Sequence, residues 1–154
     1  MTEVDMAVKT FEYRPEPDIG STWERIIGVR GGPLDLMEQV EAGLPARAFD
    51  RFSSQIGVTR EMLATAIHTT TRTVARRKEA EKPLDQDASE RLVRLALLYK
   101  LANEVLDDET LTRQWMLRPR SAFAGRTPFE MASSEIGAQE VEDLLLRVEH
   151  GVFY

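Results

Sequence analysis

The chain has 154 residues, with 42% apolar and 30% charged side chains and a formal net charge of −6, a balance that suits one globular domain or two small ones sharing a core. It contains no cysteine and only two histidines, His68 and His150, so disulfides, thiolate metal sites and cysteine nucleophiles are excluded, and no metal or other cofactor is expected. No stretch approaches the roughly 18 apolar residues needed to span a bilayer, and the acidic, Pro-containing N-terminus lacks an apolar signal core, so a cytoplasmic location is expected.

Residues 1–20 form a disordered leader in this reading, broken by Pro15 and Pro17. Residues 21–29 are short and partly apolar (Trp23, Ile26, Ile27), and Gly31-Gly32-Pro33 closes them. The spacing predicts a helix over 34–42, with Leu36, Met37 and Val40 on one side and Gly43 as its stop. Pro45 suits the first turn of the next helix, which carries Phe49, Phe52 and Ile56 at helical spacing and ends at Gly57. Thr59 then caps a helix whose buried stripe is Leu63, Ala66 and Ile67. After His68-Thr69-Thr70 a second short helix begins near Thr71, and Pro83 marks its end. The longest helix is expected from Asp87, with Glu90 completing a capping box, to about Leu106. Its buried side is Leu92, Leu95, Ala96, Tyr99, Ala102 and Leu106.

The C-terminal third has sharper punctuation. Thr127-Pro128-Phe129-Glu130 combines a capping threonine, a proline at the first helical position and a glutamate at the third, so a short helix should follow and end around Ser133. A last helix is predicted over 138–150, with Val141, Leu144, Leu145 and Val148 at i, i+3, i+4, i+7 and Gly151 as its stop. The chain finishes on the apolar tail Val152-Phe153-Tyr154. Strand signals are scarce, and the fold class is all-α: a helix-turn-helix-containing bundle followed by a C-terminal helical domain. The boundaries are residues 1–20 for the leader, 21–83 for the helix-turn-helix region, 84–107 for the long connecting helix and 108–154 for the terminal domain.

Charge is distributed unevenly along this plan. Residues 60–82 hold six Lys/Arg against three Glu, whereas residues 127–154 hold six acids against one arginine. The middle therefore suits an anionic partner and the end a basic one. Two short helices joined by a turn of three or four residues, the second rich in arginine, fit a helix-turn-helix. Thr71, Arg72 and Thr73 would open the recognition helix towards phosphates and base edges, with Arg76, Arg77 and Lys78 reaching the nucleic-acid backbone. The plain alternative is a solvated basic face, and His68 stands where such motifs often have glycine. His68 is best explained as a turn residue, and Phe49, Phe52, Met62 and Tyr99 as core.

Several punctuators recur in order near the C-terminus: Trp115-Met116-Leu117, Gly125-Arg126-Thr127-Pro128, Gly137, Glu140-Val141, Leu144-Leu145 and Arg147-Val148-Glu149-His150-Gly151-Val152. Together they resemble the toxin-binding domain of Xre/ParS/MbcA-type antitoxins. Gly43-Leu44-Pro45 and the helix-turn-helix at residues 59–78 are similar to the Xre-like half of that family, so the resemblance runs from about Trp23 onwards. The stretch Arg118-Pro119-Arg120-Ser121 departs from it in lacking the Asn often found after that proline. The resemblance implies a partner toxin with a RES domain that depletes NAD, inhibition through the last helix and tail, and repression of the operon by the complex. The residues it assigns to the toxin are Glu142, Leu146, Glu149, His150, Val152, Phe153 and Tyr154.

Periodicity adds one observation, because Leu146 lies away from the buried stripe, beside Glu142 and Glu149, as a partner-facing leucine would. A pocket for a dinucleotide phosphate is basic, and acids or a C-terminal carboxylate suit it as plugs. Two placements of the tail stay open: in a toxin pocket, or folded onto this protein's own core. Two functions stay open as well. One is an antitoxin that binds toxin and operator DNA, working as a homodimer within a larger complex. The other is a stand-alone dimeric helix-turn-helix transcriptional regulator whose terminal helices only dimerise. An enzyme is not expected, since no nucleotide-cradling Gly loop, nucleophile motif or convergent His/carboxylate site is present.

Overall fold

A computed structural model describes residues 19–151, and among them every regular element is helical. The helices are α1 (Ile19–Ile27), α2 (Pro33–Ala42), α3 (Arg47–Ile56), α4 (Arg60–Ala66), α5 (Thr71–Glu79), α6 (Gln86–Leu106), α7 (Glu109–Met116), α8 (Pro128–Met131) and α9 (Glu135–Glu149), with a 3-10 turn at Ser121–Phe123. The fold is all-α, as the sequence predicts. Calls on residues 1–18, including most of the leader, and on Val152, Phe153 and Tyr154 lie outside the described residues.

The organising element is α6, against which α1, α2, α3, α7 and α9 all pack. Its apolar residues recur at i, i+3, i+4 and i+7, and Leu92, Leu95, Ala96, Tyr99 and Ala102 are buried as expected, with Leu106 half-buried. Phe49, Phe52 and Ile56 of α3 meet this stripe fully buried. Phe52 and Tyr99 stand edge to face, with ring centroids 6.2 Å apart and planes at 89°, an arrangement the ring quadrupoles favour.

A backbone clasp fastens the helix-turn-helix to α6. The Leu44 N–H donates to Ser89 Oγ at 2.9 Å, and the Leu84 N–H donates to the Leu44 carbonyl at 2.8 Å. Gly43 permits this closeness: its φ is +91°, and a Cβ there would overlap the Leu84 carbonyl oxygen. The clasp also corrects the predicted start of α6. With the Leu84 N–H held by the Leu44 carbonyl, Asp85 becomes the cap and accepts the Ala88 N–H at 2.7 Å, so the helix starts earlier than expected and Ala88, not a glutamate, stands at the third helical position in place of the expected Asp87–Glu90 capping box.

Both helices of the helix-turn-helix close in the same way. His68 sits left-handed at φ +57°, its N–H reaches the Thr65 carbonyl at 3.2 Å, and the Thr69 N–H reaches the Ala64 carbonyl at 2.9 Å. That is a Schellman ending with histidine in the position glycine usually takes. Glu81 repeats it after α5, at φ +55°, with the Lys82 N–H on the Arg77 carbonyl at 2.8 Å.

Other sequence expectations shift. Met62 is 46% exposed rather than core, and Met37, although on the same side as Leu36 and Val40, is 60% exposed. The sequence reading did not foresee α7, although Asp108 caps it by accepting the Leu111 N–H at 2.8 Å. The terminal helix starts at Glu135, three residues before the predicted Ala138, because Ser134 caps it through the Gly137 N–H at 3.0 Å. Gly137 is not a breaker here, since a Cβ would overlap the Met131 carbonyl oxygen where α8 and α9 meet.

Two stability outcomes follow from this geometry. Ser89→Ala leaves the buried Leu44 N–H without an acceptor and should lower unfolding free energy by about 1–3 kcal/mol in urea titrations. His68→Val should cost about 1–2 kcal/mol, because a β-branched residue resists the left-handed conformation. His68→Gly should cost nothing, and equal losses in the two His68 variants would show that the turn conformation is not what limits position 68.

Candidate functional site

Helix α5 is held by one buried side chain and one cap. Val74 is fully buried, and Thr70 Oγ1 accepts the Thr73 N–H at 3.1 Å while donating to Thr73 Oγ1 at 2.9 Å. This fixes the rotation of the helix and divides the six residues expected to meet DNA. Arg72 and Arg76, one turn apart and on the side opposite Val74, are exposed and make no hydrogen bond or ion pair among the described residues. Thr71 and Thr73 are half-buried at the helix start.

Arg77 and Lys78 flank the buried side and are tied to the protein. Arg77 Nη1 donates to the Pro83 carbonyl at 2.8 Å, and Lys78 Nζ lies 2.8 Å from Asp50 Oδ2. Asp50 Oδ1 also meets Arg60 Nη2 at 3.1 Å, so one carboxylate of α3 links α4 and α5. Such exposed pairs add little stability, but they orient the cations. Arg47 and Lys82 join Lys78 around a depression beside Pro45 and Pro83. Lys82 entered the charge count without being assigned a role. Arg47 is 31 residues before Lys78 in sequence and comes beside it only through the fold.

At the other end, α9 buries Gly137, Ala138, Val141 and Leu145. Glu135, Glu142, Leu146 and Glu149, spaced i, i+7, i+11 and i+14, fall on one side of the helix next to that stripe. The three glutamates are exposed and Leu146 is 37% exposed. His150 is exposed at the helix end, its N–H on the Leu146 carbonyl at 3.1 Å. Glu142, Leu146, Glu149 and His150 are thus brought onto one accessible strip, and Glu135 extends it in a way the later predicted helix start had hidden.

The loop between α7 and α8, where the sequence departs from the resembled pattern, is closed by its own backbone. The Arg120 N–H donates to the Arg126 carbonyl at 3.0 Å and the Gly125 N–H to the Arg120 carbonyl at 2.9 Å. The Arg120 guanidinium lies 4.8 Å from the centre of the Trp115 ring and donates from Nη2 to the Trp115 carbonyl at 3.3 Å. Burial, and secondarily the Arg118 charge, push its pKa below the ordinary arginine value. A cation stacked on tryptophan therefore supports the loop where an Asn is often found. Among the described residues no group of three or more His, Cys, Asp or Glu side chains is placed to hold a metal ion, and no helix is long and apolar enough to cross a membrane.

With these two surfaces in place, the comparisons with known proteins fall on matching segments. The antitoxin Xre-like helix-turn-helix domain matches residues 35–97, which contain α3 to α5 and the clasp. The antitoxin Xre/MbcA/ParS C-terminal toxin-binding domain matches residues 101–151, which contain α7 to α9. Antitoxin Xre of Pseudomonas putida is 34% identical over 80 residues, covering 52% of this chain and 50% of the relative. The match therefore spans half the length of that protein. Antitoxin Xre of Yersinia enterocolitica is 26% identical over 144 residues, covering 92% of this chain and 97% of the relative. A protein of a Sphingobium species named Prs ADP-ribosylating antitoxin is 23% identical over 133 residues, covering 80% and 84%. Two successive domain matches, together covering nearly three quarters of the sequence, show that this chain belongs to the Xre/MbcA/ParS family of antitoxins.

Proposed function

We propose that this protein neutralises a cognate RES-domain toxin that degrades NAD, and that the resulting complex binds operator DNA and represses its own operon. The observation that carries this reading is the strip on α9. Three exposed glutamates and an exposed leucine lie along one side of the helix, within the segment that matches a toxin-binding domain. Acids with an apolar anchor complement a basic, phosphate-binding pocket rimmed by apolar surface. The tail residues Val152, Phe153 and Tyr154 continue from the end of this helix and are assigned to the same interface. The Sphingobium relative, whose name refers to ADP-ribosylation, is in keeping with a target that handles NAD, since ADP-ribose is transferred from NAD.

The DNA-binding part of the proposal rests on the unpaired Arg72 and Arg76, whose guanidinium groups are available to phosphate and guanine. It assigns Thr71 and Thr73 to contacts at the helix start, and gives Arg77 and Lys78 a secondary role alongside Arg47 and Lys82. The protein acts by binding and needs no cofactor in this reading. The same unpaired arginines would serve a stand-alone dimeric regulator, so the toxin-facing variants are what separate the two functions.

Glu142→Lys with Glu149→Lys should weaken toxin binding at least tenfold in calorimetric titration against the purified toxin, and NAD consumption by the toxin should return. Phe153→Ala with Tyr154→Ala should weaken inhibition and spare promoter binding. Full inhibition by both double variants would remove the α9 strip and the tail from the interface, whereas an unmodified protein that neither binds nor inhibits the toxin would favour the stand-alone regulator. On DNA, Arg72→Ala and Arg76→Ala should each lower promoter affinity and flatten its salt dependence by about one unit of slope. Steep, undiminished salt dependence in both variants would move the DNA surface elsewhere.

A further inference from the structure

A third charged surface has no part in either assigned face. Residues 117–127, the loop between α7 and α8, hold Arg118, Arg120 and Arg126 and no acid. The bond from the Arg120 N–H to the Arg126 carbonyl sets those two residues side by side, and the charge of Arg118 acts on Arg120. Arg118 and Arg126 are exposed, and neither side chain makes a hydrogen bond or ion pair among the described residues. Arg120 is stacked on Trp115, and its Nε is buried without a hydrogen-bond partner. Like charges gathered with no carboxylate to offset them destabilise the free protein. Charge-assisted hydrogen bonds to an anionic partner would reverse that penalty.

Which anion fits follows from where the loop begins. Five residues before Arg118, Arg113 of α7 reaches back to the helix-turn-helix: its Nη1 donates to the Gln55 carbonyl at 3.5 Å, and its side chain runs over Gly57. Gly57 opens the short turn that Thr59 closes as the cap of α4. In a helix-turn-helix, the helix before the recognition helix crosses the nucleic-acid backbone. The loop therefore starts beside the edge of the domain that a phosphate strand would follow. The toxin suits it less well. The acids of α9 call for a basic partner, and three arginines in the same matched segment would repel such a surface.

We propose that Arg118 and Arg126 bind backbone phosphates of operator DNA outside the reach of the recognition helix, on a loop that Arg120 holds in place by stacking on Trp115. Phosphate contacts carry no base information, so the loop adds affinity while α5 supplies the sequence preference. Because these contacts rest on the operator-binding reading, wild-type binding is the first measurement.

The full chain is titrated onto a promoter duplex and a scrambled duplex of equal length, by fluorescence anisotropy at several salt concentrations. Arg118→Ala with Arg126→Ala should weaken binding to both duplexes by the same factor, roughly tenfold, and flatten the salt dependence by about two units of slope per bound chain. Either single change should give half of that flattening. Arg118→Lys with Arg126→Lys should keep the wild-type slope, since either cation neutralises a phosphate. An alanine double variant that keeps the wild-type slope, with its helical circular dichroism intact, would overturn the proposal. So would one that loses affinity for the promoter duplex alone, which would make the loop a reader of bases. Loss of toxin affinity with the slope unchanged would overturn it too, and would give the loop to the toxin. A wild type that binds neither duplex would refute the operator reading itself, and the loop contacts with it.

Discussion

The Leu44 clasp is the constraint on which the remaining geometry depends. Leu44 alone supplies its carbonyl to Leu84 and its N–H to Ser89, so the connection between α2 and α3 is tied to both the loop after α5 and the start of α6. Leu44 and Ser89 are both fully buried. In such surroundings an unpaired backbone group is costly, and a satisfied one is directional. Burial of apolar side chains would hold these helices together in many arrangements. The two hydrogen bonds select one, and they thereby set where α5 starts and stops relative to α6.

From that fixed point the chain separates its surfaces by element. Helix α5 turns Val74 inward and leaves Arg72 and Arg76 outward, while Arg77 and Lys78 are drawn back to Pro83 and Asp50. Helix α9 turns Val141 and Leu145 inward and leaves its glutamates outward. Helix α6 supports both halves, and its exposed Leu97 borders Glu135 and Glu142 of α9. The two domain matches adjoin within α6, one ending at residue 97 and the other beginning at residue 101. The long helix thus contributes residues to both matched segments.

Much of this was legible in the residue pattern, and the failures have physical causes. Short-range signals were accurate: Thr59 and Thr127 lie at helix starts and bond the N–H groups expected of caps, because capping depends on three or four neighbouring residues. The fully buried stripe of α6, Leu92 to Ala102, was readable because its apolar spacing persists over about three turns. What was misjudged depends on distant partners. The start of α6 moved because Leu84 is held by a residue 40 positions earlier. Met37 and Met62 looked like core because apolar identity was read as burial. The division of the basic helix into free and tied cations could not be inferred either, since Asp50 reaches Lys78 only after α3, α4 and α5 have packed.

The net charge of −6 does not by itself decide which partners the surface can meet. At physiological ionic strength, charges more than about 8 Å apart across solvent are largely screened from one another, so a partner responds to the sign of the surface it touches. The outward side of α5 presents two unpaired arginines, and the outward side of α9 presents three glutamates and a leucine. Because these side chains point to solvent from helices fixed by separate buried stripes, their charges are not neutralised by pairing with each other. A uniform distribution of the same residues would give the same net charge and neither surface. Segregation by helix face therefore allows one small acidic protein to present an anion-seeking surface and a cation-seeking surface together.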